Sequence, residues 1–179
     1  PESLQEILVR LDEIVDSNRS RGSRMGYFPA LYRIVTREVE RRCGTDYFDD
    51  PERMRALTVN FANRYLQAYD RHRRGQETAR PWTLAFEATR RWRPIVLQHL
   101  LLGMNAHINY DLSLATLETV PAEELDSLED DFHRITILLG ELIDGVQDRL
   151  VRVWFSVRLL DWMGQRIDET MMNFSLKKA

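Results

Sequence analysis

Residues Ile95 to Leu114 read IVLQHLLLGMNAHINYDLSL. On a helix of about 3.6 residues per turn their apolar side chains point in nearly every direction, the pattern of a helix surrounded by others. The stretch therefore predicts the centre of a helical bundle. Outward from it, apolar residues recur at helical spacing on both sides, and no run sustains the period-2 alternation of a strand. The reading is all-α: about six or seven helices in one domain over residues 1–179, packed around a buried central helix at about 95–114.

The flanking elements follow from stripes and caps. Leu4 to Asp16 reads as a first helix with Ser3 and Glu6 as a capping box, and the polar, arginine-rich stretch 17–26 reads as a connector. A second helix, Pro29 to Arg42, is expected to turn Leu31, Val35 and Val39 inward and to end on Gly44 as a left-handed cap. Asp50 and Pro51 open a third helix, running to about Arg73, with Met54, Leu57, Phe61, Tyr65 and Ala68 inward. Pro81 opens a short helix carrying Trp82, Ala85, Phe86 and Trp92, which Pro94 must break or kink. Beyond the central helix, Ser127 and Asp130 are candidate caps for a long helix with Ile135, Leu138, Leu142, Val146 and Leu150 inward. The remaining stretch, Val153 to Ala179, is expected to be helical after a break near Arg152 to Ser156 or at Gly164.

Composition narrows the function classes. With 44% hydrophobic and 30% charged residues the chain is that of a packed globular protein. Its net charge of −3 gives no overall attraction to nucleic acid or anionic lipid, which argues against nucleic acid as a partner. The longest strongly apolar stretch, Ile95 to Met104, is about half the roughly 20 residues that a membrane span needs. Neither a span nor a signal peptide is expected, which makes a cytoplasmic location the expectation. Cys43, the only cysteine, excludes an internal disulfide and a cysteine-built zinc site and reads as a packed thiol at a helix end. Serine-hydrolase elbows, phosphate loops and dinucleotide loops are all missing from the sequence. Arg71, Arg73, Arg74 and Arg80, near Trp82, flank a loop and read either as a nucleic-acid or phosphate patch or as a solvated face.

The chemistry-bearing residues lie on the central helix. His107 and Asp111 are one turn apart on one face, while Gln98, Asn105 and Asn109 lie roughly opposite. A buried polar group left without partners costs about 1–3 kcal/mol, so each must be paired, hydrated or used. Asp131 falls on the inner stripe of the following helix, where its carboxylate could meet His107. Three readings stay open: a structural hydrogen-bond network; a divalent metal ion held by His107, Asp111 and Asp131; and a general acid–base centre of the same three residues, with Asn105, Asn109 and Tyr65 binding the substrate. The partner in the last two is a small molecule. The rival from another class is a non-catalytic helical module that binds a small apolar ligand or a protein, its polar residues purely structural.

The string GMNAHINYDL, Gly103 to Leu112, resembles the signature of an uncharacterised bacterial family of all-helical proteins, a domain of unknown function. Tyr27-Phe28, Leu31-Tyr32, Val35-Thr36, the run Phe61 to Tyr65, Asp131-Phe132 and Phe174-Ser175 look like further landmarks, so the likeness spans about residues 27 to 176. It implies a helical fold and weight on Asn105, His107, Asp111 and Asp131; it implies no activity.

Overall fold

A computed structural model describes residues 1–91 and 94–142. It divides into two compact units, Pro1–Ile135 and Thr136–Ala179. In the second unit residues 136–142 are helical; the expected helix break and the inner positions Val146 and Leu150 lie outside the described residues. Everything below concerns the first unit.

Its elements are helical throughout, as expected. They are α1 (Leu4–Ser20), a 3₁₀ turn (Arg24–Gly26), α2 (Tyr27–Cys43), α3 (Pro51–Arg73), α4 (Arg80–Ala88), α5 (Val96–Ala106), a π-helical segment (His107–Asp111), α6 (Leu112–Thr119), a second 3₁₀ stretch (Ala122–Leu128) and a final helical run at 129–135. Among the described residues no helix is long and apolar enough to cross a membrane.

Ser3 caps α1 by accepting from the Glu6 N–H, and Asp50 caps α3 by accepting from the Arg53 N–H with Pro51 in the first turn. The connector expected at 17–26 is largely helix. α1 continues to Ser20 because Asn18 is buried and its Nδ2 donates to the Ile14 carbonyl and the Tyr69 hydroxyl, each at 2.8 Å. α2 is rotated from its expected face. Phe28, Tyr32, Thr36, Val39 and Cys43 are buried, while Leu31 and Val35 are half-buried. Gly44 ends α2 at φ −84°, so it is not a left-handed cap; Gly22 and Gly75 hold the positive φ angles. Ser127 bonds the Glu124 carbonyl and receives Arg53 rather than capping a helix. The Cys43 thiol is buried, as expected, and burial pushes its pKa up to about 11, against a lowering pull from Arg55.

The core gathers Ile7, Leu11 and Ile14 of α1 against Phe28 and Tyr32 of α2, Tyr65 and Tyr69 of α3 and Trp82 and Phe86 of α4. The continuous helix of α5, the π segment and α6 lies along it with one side buried: Gly103, Ala106, His107, Asp111 and Ala115 face in. Ile95, Val96, Leu97, Leu101 and Ile108 are exposed. Gln98, Asn105 and Asn109 share that outer side, so they need no buried partner; the Gln98 side chain accepts from the Ile95 N–H at 3.0 Å.

α5 approaches α2 closely at Gly103. A Cβ there would stand 2.6 Å from Cδ2 and 2.9 Å from Cβ of Phe28. Phe28 touches Tyr32, Tyr65, Trp82 and His107, so its ring has no free direction in which to yield. Gly103→Ala is expected to destabilise the chain by about 1–3 kcal/mol through overpacking, read as a lower denaturation midpoint at unchanged m-value.

Candidate functional site

The site is built from the motif residues and two other helices. His107 and Asp111 bracket the π segment and are buried, 3% and 2% exposed. A π segment re-aims the side chains that follow it by one position, and such segments recur at functional sites. The Asp111 Oδ2 atom lies 3.0 Å from Nδ1 of His107 and 2.9 Å from the indole Nε1 of Trp82 on α4.

Those two contacts settle the tautomer. The indole N–H only donates, and Oδ2 as a carboxylate oxygen only accepts, so Nδ1 of His107 carries the hydrogen it shares with Asp111. Burial lowers the His107 pKa below its ordinary value, against the raising pull of Asp111. The ring is therefore neutral at pH 7, and Nε2 holds a bare lone pair. That nitrogen is buried and makes no hydrogen bond.

Aromatic rings enclose it. Phe61 of α3 stacks on the imidazole at 3.5 Å between centroids with a 6° interplanar angle. Tyr32 stands edge-on at 4.4 Å, with Phe28 at 5.5 Å, Trp82 at 6.1 Å and Tyr65 at 6.3 Å. The Tyr32 and Tyr65 hydroxyls are buried without a well-formed hydrogen bond, Tyr32 having only the Thr36 side chain in loose reach. Burial pushes both phenol pKa values up, so each remains an O–H donor. The set is thus one free acceptor and two free donors inside an aromatic shell.

The sequence-predicted residues divide. His107, Asp111 and Tyr65 come together. Asp131 is buried as expected, but it takes the Asp49 and Asp50 N–H groups at 2.8 and 3.3 Å, Arg134 at 3.1 Å and Arg53 at 3.5 Å. It anchors the loop that starts α3 and is not brought to His107. Among the described residues no group of three or more His, Cys, Asp or Glu side chains could hold a metal ion, so the His107, Asp111 and Asp131 ligand set is not assembled. Asn105 and Asn109 are exposed and bond each other at 2.7 Å, away from the buried ring. Sequence reasoning missed Tyr32, Phe61 and Trp82 as site residues. The i, i+4 step from Phe28 to Tyr32 was the available signal for one; the Trp82 to Asp111 contact, across 29 positions, carried none.

The family model described as a family of unknown function, DUF5995, matches residues 4–179. The chain belongs to DUF5995. No curated protein and no solved structure matches it. For this DUF5995 chain the match therefore supplies family membership and no activity.

Two outcomes follow from the geometry. Because the folded-state pKa of His107 lies below that of the unfolded chain, about 6.5, its contribution to stability is present above pH 6.5 and is lost as pH falls below it. Urea denaturation between pH 8 and 5 should show stability falling by up to about 1.4 kcal/mol per pH unit for each such proton; His72 and His99, also lowered by burial, add to the slope, and His107→Gln should flatten it. Asp131→Asn is expected to cost about 2–4 kcal/mol in the same assay, by weakening the acceptor for Asp49, Asp50, Arg53 and Arg134, while leaving the His107 imidazole resonances in place.

Proposed function

We propose that the His107–Asp111 pair is a proton-transfer site for a small, mostly apolar, oxygen-bearing molecule held among the rings of Phe28, Tyr32, Phe61, Tyr65 and Trp82. The observation that carries this reading is Nε2 of His107: buried, without a partner, and kept unprotonated because Asp111 holds the hydrogen on Nδ1. In that role Nε2 takes a proton from a ligand hydroxyl, or from a carbon next to a carbonyl. The Tyr32 and Tyr65 hydroxyls donate to the ligand oxygen where the negative charge is left, and the imidazolium is stabilised by the Asp111 carboxylate. Low local dielectric strengthens each of these interactions.

A second reading is favoured by burial itself. His107 and Asp111 are nearly inaccessible, and the Phe61 stack at 3.5 Å leaves one face of the imidazole covered, which suits a purely structural network joining α4 to the motif helix. The test separates the two. In ¹⁵N-labelled protein the Nε2 resonance is followed while phenol, cyclohexanol and cyclohexanone are added, and deuterium exchange at the ketone α-carbon is measured in D₂O. The proton-transfer reading expects at least one probe to move Nε2, and the exchange rate to fall about 100-fold or more in His107→Gln. No movement of Nε2 by any probe, with His107→Gln lowering stability by about 1–3 kcal/mol and nothing else, gives the structural network instead. Movement without exchange leaves a binding module.

A further inference from the structure

A concave site lies away from His107, where the turn after α1 meets the C-terminal ends of α3 and α4. It is a pocket of about 490 Å³ whose lining includes Ser23, Arg24, His72, Arg73, Thr89 and Arg90. That volume falls within the roughly 300–1,000 Å³ of small-molecule pockets. Among the described residues none of the three arginines is paired with a carboxylate. Arg24 donates instead to the Arg91 carbonyl, which holds its guanidinium across from the α1 turn to the end of α4.

Cations at helix C-termini have an ordinary use, complementing the negative end of the helix dipole. Here that use does not absorb the charge. Each helix end carries roughly half a negative charge, and two such ends with Glu87 fall short of three guanidinium groups. The α3 carbonyls of Asp70, Arg71 and His72 already accept from the Arg74 and Gly75 N–H groups, and the α4 carbonyls of Phe86 and Glu87 from Thr89 and Arg90. The field is felt locally. The His72 pKa is lowered first by burial and then by Arg90, with Arg73 adding to it and Glu87 opposing. The Ser23 hydroxyl accepts from the Met25 N–H, which leaves its own hydrogen free to donate.

The geometry points to a binding site for the phosphate group of a small phosphomonoester, held by Arg24, Arg73 and Arg90 with the Ser23 hydroxyl as a neutral donor. Guanidinium groups match phosphate oxygens in pairs and stay charged at every accessible pH. The site is independent of the His107 reading, and each stands or falls without the other.

The test follows the His72 imidazole by NMR, whose titration reports the charges acting on it: Arg90 and Arg73, which lower its pKa, and Glu87, which raises it, with Arg24 lining the same pocket. Ribose 5-phosphate is the probe, with sulfate and a short oligothymidylate alongside. The expected result is a saturable rise in the His72 pKa on adding the sugar phosphate, weakened about tenfold or more in Arg73→Gln/Arg90→Gln. Arg80→Gln, an exposed arginine outside the pocket, should leave it unchanged. The proposal is overturned by the absence of a saturable shift, by equal weakening in Arg80→Gln, or by oligothymidylate binding tighter than the sugar phosphate, which would make the surface a nucleic-acid contact.

Discussion

One buried carboxylate oxygen organises the interior. Oδ2 of Asp111 accepts from the imidazole of its own helix and from the indole of α4, and so ties the motif helix to α4. A carboxylate this far from water is costly unless its lone pairs are met, and two N–H donors meet those of Oδ2. The same pair of bonds sets the imidazole tautomer. Removing this one acceptor would release both the α4 indole and the hydrogen held on Nδ1 of His107, so packing and chemistry share one constraint.

The ring shell depends on close approach of backbones. Gly103 lets α5 settle on Phe28, and Phe28 in turn contacts the rings of Tyr32, Tyr65, Trp82 and His107. Aromatic contacts of this kind contribute about 0.5–1.5 kcal/mol each beyond area burial. They also exclude water, which is why an unmet Nε2 and unmet tyrosine hydroxyls stand out: in a wetter site solvent would satisfy them. From the same shell Trp82 stacks on Phe86 at 5.3 Å, and Phe86 lies 4.7 Å from the ring of His72. The basic pocket and the buried site thus stand at two ends of one aromatic column.

Much of this was legible in the residues. The all-helical fold, the caps at Ser3 and Asp50 and the His107–Asp111 pair follow from spacing along a single helix, where neighbours three or four positions apart must meet. The errors share a cause. Asp131 was assigned correctly to a buried position and wrongly to a partner, because burial follows from a local stripe whereas its partners, Asp49 and Asp50, arrive from about 80 positions away. Asn105 and Asn109 looked like buried groups in need of partners because the apolar residues around them are so numerous; in the fold that side of the helix is exposed and the two amides satisfy each other. The polar stretch after Asp16 looked like a connector because the Asn18 partners, Ile14 in its own helix and Tyr69 on α3, cannot be read together from local composition.

By itself, then, the sequence determined the all-helical class, the caps at Ser3 and Asp50 and the residues able to do chemistry, since periodicity, caps and i, i+4 pairs are properties of one segment at a time. Only the tertiary structure decided which of those residues share a site. It placed Trp82 on Asp111, Phe61 on the imidazole and three arginines from separate elements around one pocket, and it sent Asp131 to the start of α3. The physical reason is that hydrogen bonds and ring contacts act over a few ångströms in space, and the packing of helices, not distance along the chain, sets which groups come within that range.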